Sequence, residues 1–221
     1  MKFSVERTRA AQRLLSKRVI CKDSLPKTIK YVGGVDVAYW QDISIGAVAV
    51  IDFNSLALTE SQTACCKTWF PYIPTLLSFR EVSPAVLAIR RLQICPDVFL
   101  VDGQGIAHPR RFGFASHLGL AIDKPTIGVA KSLLCGEVGK FNDEGWAPIT
   151  DKEEIVGAAV ATFLGEKLVY VSVGHKVSLD RAIAIVRHCT RRKRIPEPIL
   201  EAHRIANEEK EKLAVIGSKK L

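Results

Sequence analysis

Apolar positions recur along the chain with a helical period, then as strands, then as strands alternating with helices. Between residues 4 and 19, Val5, Ala10, Ala11, Leu14, Leu15 and Val19 sit among Arg, Lys and Gln, the spacing of an amphipathic helix. Three strand-like runs follow, Tyr31–Trp40, Ser44–Asp52 and Leu56–Thr68, joined by Gln41-Asp42 and Phe53-Asn54-Ser55. Short polar joins between apolar, β-branched runs predict an antiparallel meander. The pattern then changes. Pro84–Gln93 has helical spacing, with Ser83 placed to cap it and Pro84 at its first position. Asp97–Val101 reads as a short buried strand, Arg111–Ile122 as a helix, and Thr126–Val129, Gly157–Phe163 and Leu168–Val173 as further strands. Leu179–Cys189 and the charged tail from Pro198 read as helices. A meander followed by alternating strands and helices predicts an α/β fold, a mixed sheet covered by helices. With no repeat and no long linker, residues 1–221 are expected to form a single domain.

Composition changes this picture little. The 221 residues are 48% hydrophobic and 25% charged, which excludes disordered, collagen-like and coiled-coil classes. The longest apolar runs, Ile43–Ile51 and Ile155–Gly165, are too short to cross a bilayer and are flanked by Asp42, Asp52, Glu154 and Glu166. The first residues lack the apolar core of a secretory signal. The six cysteines form no CxxC pair and no Cys/His ligand spacing, so buried free thiols in a reducing cytoplasm are expected. The formal charge of +9 favours a polyanionic partner.

Three acids lie where an acid is costly. Asp36 interrupts an apolar strand, Asp102 ends the run Val98–Val101 before Gly103, and Glu81 lies just ahead of a predicted helix. A carboxylate in an apolar strand is unfavourable unless paired or bound to a metal, and strand ends are where open α/β sheets hold ligands. Two or three converging carboxylates suffice for a hard cation such as Mg²⁺. The densest stretch, Asp102–Arg111, offers His108 to a leaving group or water and Arg110 and Arg111 to phosphate. Phe70-Pro71-Tyr72-Ile73-Pro74 is a rigid aromatic segment suited to wedge between stacked bases. Lys131 and His175 follow strands, which suggests a cleft shared with Asp102. His188 and Arg191–Arg194 form a basic patch suited to phosphates.

At these residues the chain resembles the endonuclease V family, the deoxyinosine 3′ endonucleases. The resemblance is carried by Val35-Asp36-Val37-Ala38, Pro71-Tyr72-Ile73-Pro74, Leu77-Ser78-Phe79-Arg80-Glu81 and Val101-Asp102-Gly103. It continues in His108-Pro109-Arg110-Arg111, Ala115-Ser116-His117, Pro125–Lys131, Val171–His175 and Arg194–Pro198. It implies a ribonuclease H-like fold: three antiparallel strands, then parallel strands, flanked by helices. It implies Mg²⁺-dependent hydrolysis, with Mn²⁺ able to substitute, of the second phosphodiester bond 3′ to a deaminated base, leaving 3′-hydroxyl and 5′-phosphate ends, as in DNA repair. Asp36, Glu81 and Asp102 would be metal-site carboxylates, and Lys131 would lie at the reacting phosphate. Pro71, Tyr72, Ile73 and Pro74 would form the strand-separating wedge. Leu77, Gly103, Gly105, His108 and Leu134 would fall at the lesion pocket. His203 occupies a position where many members carry an acid and is placed with the metal ligands and catalytic residues.

The partner implied is DNA containing deoxyinosine, with inosine RNA as a second target. No membrane is implied, and a cytoplasmic monomer is expected. Two other readings are a different ribonuclease H-like nuclease, such as a junction resolvase, and a non-catalytic nucleic-acid-binding module. The intact acids argue against the second, because pure binding rarely needs buried carboxylates.

Overall fold

The computed structural model describes residues 4–163, 165–191 and 193–218. Helix α1 (Val5–Ser16) precedes the meander β1 (Tyr31–Trp40), β2 (Ile43–Asp52) and β3 (Leu58–Lys67). Then come α2 (Ser78–Ile89), β4 (Val98–Asp102), α3 (Phe114–Ile122) and β5 (Thr126–Ala130). β6 (Glu137–Val138), β7 (Trp146–Asp151), β8 (Glu154–Val160), β9 (Val169–His175), α4 (Leu179–His188) and α5 (Glu197–Ser218) complete the chain. The strands form one sheet in the order β3-β2-β1-β4-β5-β9-β8-β7-β6, the mixed sheet that the pattern suggested, with the three antiparallel strands first as the resemblance implied. Among the described residues, parallel pairing is confined to β1–β4 and β4–β5, and β9 returns antiparallel to β5.

Alternation along β1 and β4 sorts side chains between two helical layers. Val35, Phe99 and Val101 pack with Ala85 and Ala88 of α2 and with Phe114, Ala115 and Leu118 of α3. On the opposite face, Val32 and Leu100 pack with Ile183 and Val186 of α4 and Ile199 of α5. Ala47 and Ala49 meet Ala202, Ile205 and Ala206 of α5 there. By parity, Asp36 and Asp102 belong to the α5 face.

The structure corrects three sequence expectations. Helix α2 begins at Ser78, not Pro84; Leu77 holds the cap position without a side-chain cap bond, and Pro84 lies inside the helix. The preference for proline in a first turn misplaced the start, so Glu81 is in the helix's first turn rather than ahead of it. Strands β6 and β7 were not anticipated. The two-residue turn from β7 to β8 is Lys152-Glu153, both at positive φ (53° and 66°), without the Asn-Gly signature of such hairpins. All six cysteines are free, but only Cys189 is buried. Among the described residues, no helix is long and apolar enough to cross a membrane.

Candidate metal centre and base pocket

The parallel register pairs Val35 with Val101, which places Asp36 and Asp102 one residue further along neighbouring strands and on one face. Gly34 lets α5 reach that face: a Cβ at Gly34 would sit 1.9 Å from the Pro198 carbonyl oxygen. From this contact, Asp36 is two residues along the strand, ~6.6 Å. His203 is five residues along the helix, ~7.5 Å. The two meet. His203 Nδ1 lies 2.7 Å from Asp36 Oδ2, and ligand atoms of Asp36, Asp102 and His203 all lie within 4.8 Å of one another. Asn207 Nδ2 donates to His203 Nε2 at 3.0 Å, so the imidazole proton sits on Nδ1 and is donated to Asp36.

Glu81 approaches from α2 on the other side. Burial, reinforced by Asp36 and then Asp102, pushes its carboxyl up to about 8. Asp102 is also raised, by burial and then by Asp36, against the lowering pull of Lys131, whose Nζ lies 2.5 Å from Asp102 Oδ2. Lys131 itself is 45% exposed. Carboxylates crowded enough to hold on to protons make a donor set that a divalent cation relieves. With two aspartates and an imidazole at this separation, the residues fit Mg²⁺ or Mn²⁺.

Asp102 and Glu81 also line a cavity of about 320 Å³. Its wall includes Leu77, Gly103, His108 and Leu134, expected at the lesion pocket, and Lys131, expected at the reacting phosphate, together with Thr75, Ser78, Gln104, Phe112 and Phe114. Asp102 therefore belongs to both the ligand cluster and the cavity wall, where Glu81 joins it.

A family model for Endonuclease V matches residues 13–204. The chain belongs to the endonuclease V family. Endonuclease V of Thermofilum pendens is 48% identical over 202 residues, covering 91% of this chain and 87% of that protein. The crystal structure of Endonuclease V from Streptomyces avermitilis superposes with a TM-score of 0.90 at 38% identity, covering 96% of each chain. Endonuclease V of Ciona intestinalis, in complex with a 24mer DNA containing an inosine followed by a ribo-adenosine, superposes with a TM-score of 0.84. It is 31% identical, covering 95% of this chain and 98% of that one.

Within this endonuclease V fold, some expected site residues lie apart from the cavity. Gly105 is not in its wall. A Cβ there would sit 2.0 Å from Val173 O, and its N–H donates to Ser172 Oγ at 2.9 Å, so it seats the Asp102–Arg111 loop on β9. Pro71, Tyr72, Ile73 and Pro74 form an outward strap, with Tyr72 68% exposed and Phe70 stacked on Phe79 behind it. His175 lies at the opposite end of the sheet, because β9 runs antiparallel and pairs His175 with Thr126 at the start of β5. It is buried and accepts the Ile20 N–H.

The expected phosphate-binding arginines are engaged within the protein. Arg111 pairs with Asp151 and Glu154, both at 2.8 Å. Arg191 and Arg194 donate to the carbonyls of Ser55 and Leu168, while Arg192 lies outside the described residues. Sequence reasoning missed Tyr39, whose hydroxyl is 3.5 Å from Glu81 Oε1 and whose ring lies 4.2 Å from the Arg80 guanidinium carbon. Burial and then Glu81 raise the Tyr39 hydroxyl. Nothing in its strand pattern marks it. Asn207 was findable, since four residues from His203 is one helical turn.

Proposed function

We propose that this chain is a Mg²⁺-dependent endonuclease, with Mn²⁺ able to substitute, that acts on nucleic acid containing a deaminated purine. It hydrolyses the second phosphodiester bond 3′ to deoxyinosine, leaving 3′-hydroxyl and 5′-phosphate ends, and serves DNA repair. The observation that carries this reading is the Asp36–Asp102–His203 cluster opening through Asp102 and Glu81 onto a cavity at the small end of ligand pockets (~300–1,000 Å³). The Ciona relative bound to inosine-containing DNA supports the same substrate class.

The residues divide the work. Leu77, Phe112 and Phe114 give the cavity apolar and aromatic walls for one extruded base, and Tyr72 on its proline-stiffened strap fills the gap left in the stack. Asp36, Asp102, Glu81 and His203 would hold the cation. When bound, the divalent ion supplies Lewis acidity, activating a water and offsetting charge that develops on the phosphate. Lys131, next to Asp102 and half-exposed, brings a positive charge to the same phosphate.

The test is Mg²⁺-dependent cleavage of three matched substrates: a duplex with one inosine, an RNA with one inosine, and a four-way junction of normal sequence. Cutting of an inosine substrate alone is expected. Preferential cutting of the junction would establish a resolvase instead, and binding without cutting would leave a recognition module.

A further inference from the structure

Helix α1 lies outside the sheet, half of its residues are exposed, and Gln12 is its one fully buried residue. A buried amide is unfavourable unless its groups are bonded, and Gln12 bonds at both ends. Its Nε2 donates to Thr75 O and Phe112 O, both at 3.0 Å, and its Oε1 accepts from Arg110 Nε at 2.5 Å. The partners fix the amide's orientation: a guanidinium only donates and the two carbonyls only accept.

The Thr75 carbonyl is the hub. It also accepts from Arg110 Nη2 at 3.1 Å and from His108 Nε2 at 3.0 Å. The Arg110 backbone N–H donates to His108 Nδ1 at 3.1 Å, which leaves the ring proton on Nε2, aimed at Thr75. Arg110 meets the Thr75 hydroxyl as well. Thr75 needs this many partners, because its φ is 68°, and left-handed backbone is strained for a β-branched residue. It directly follows the Pro71–Pro74 strap, and both it and Phe112 line the cavity.

We propose that Gln12 is a positioning residue for lesion recognition. Through Thr75 and Arg110 it locks the end of the aromatic strap to the cavity wall, so that wedge and pocket are held in one arrangement before nucleic acid arrives. A strap left loose would have to be ordered on binding, which costs affinity. This role rests on the reading of the cavity as the base pocket.

The test compares wild type with Gln12→Leu, Arg110→Met and the double variant, all as full chains. Amide hydrogen exchange by mass spectrometry reports on residues 70–77, with β1 and β4 as internal controls. Single-turnover cleavage in Mg²⁺ is followed on duplex and single-stranded inosine DNA. Either substitution should speed exchange in 70–77 about tenfold with β1 and β4 unchanged, since Thr75 loses one hydrogen bond with Gln12→Leu and two with Arg110→Met. It should raise the half-saturating concentration on duplex about tenfold, with less than about threefold change on single strand. The double variant should be no worse than the worse single one, as expected for a shared unit. If Gln12→Leu fails to fold, Arg110→Met gives the same readings from the other side of the contact. Unchanged exchange in 70–77, or equal losses on duplex and single strand, overturns the role. A wild-type chain that leaves inosine substrates intact overturns the base-pocket reading and this role together.

Discussion

Replacing Glu81 by Gln should stabilise the metal-free protein while abolishing its activity. In the folded chain, burial and the neighbouring aspartates hold the Glu81 carboxyl at about 8, against an ordinary value of 4.5. An acid raised on folding contributes stability that is fully present below pH 4.5 and is lost as pH rises through 8. At pH 7 the folded carboxyl is still mostly protonated, whereas the unfolded one has been ionised across about 2.5 pH units, at ~1.4 kcal/mol each. Wild type therefore forfeits about 3 kcal/mol between pH 4.5 and 7 through this one group. Glutamine keeps the shape and removes the proton. The assay is denaturant unfolding of both proteins in excess chelator from pH 4.5 to 8. The stability difference should grow by about 3 kcal/mol in favour of Glu81→Gln by pH 7, or roughly 6–12 °C in Tm for a chain of this size. Titrating groups remote from Glu81 contribute equally to both proteins and cancel. Parallel stability curves across that range would show that burial and the two aspartates do not raise Glu81 in the folded chain, and the reasoning would fail.

Burial lowers His108 and His117 to about 4 from 6.5, so the unfolded chain protonates first as pH falls. Stability should be lost between about pH 6.5 and 4, by about 2 kcal/mol per histidine at pH 5. Measured in the Glu81→Gln background, a flat profile from pH 7 to 5 would contradict this. Asp36→Asn or Asp102→Asn should lower single-turnover cleavage by ~10³-fold or more with the fold retained, since several kcal/mol of charge stabilisation depends on the cation. Calorimetric titration should show weakened Mn²⁺ binding in both variants. His203→Asp should keep activity and shift preference toward Mg²⁺, whereas His203→Ala should lose most of it; full activity with an unchanged Mn²⁺ to Mg²⁺ rate ratio in the alanine variant would place His203 outside the centre. Tyr72→Ala should cost duplex cleavage the equivalent of roughly 1–3 kcal/mol of stacking, and an equal penalty on single strand would mean Tyr72 only packs the strap.

What the sequence disclosed follows from what leaves a periodic mark. The meander was legible because β1 to β3 are long, β-branched and joined by short polar turns, and Asp36 and Asp102 stood out because each breaks an apolar run. Hairpin β7–β8 left no mark, since its left-handed turn is made by Lys152-Glu153. His175 was misplaced because antiparallel pairing of β9 reverses which end of a strand faces the site, and direction is invisible in a single strand. Gln12 looked like one more polar residue on an amphipathic helix. Its burial depends on Thr75 and Phe112, 63 and 100 residues away, and no local pattern encodes contacts at that range. Arg110 and Arg111 read as free phosphate ligands for the same reason, although their partners lie on α1, the strap and the β7–β8 turn.

The central claim is that Asp36, Asp102, Glu81 and His203 hold a cation that serves cleavage beside a base held in the adjoining cavity. Mapping the cut on an end-labelled duplex with one inosine, in Mg²⁺ and in chelator, with wild type and Asp36→Asn, tests it most directly. The expected result is a single wild-type product, cut at the second phosphodiester bond 3′ to inosine with a 5′-phosphate on the downstream fragment. That product should be absent in chelator and from Asp36→Asn. Cleavage that persists in chelator, survives in Asp36→Asn or ignores the position of inosine would contradict it.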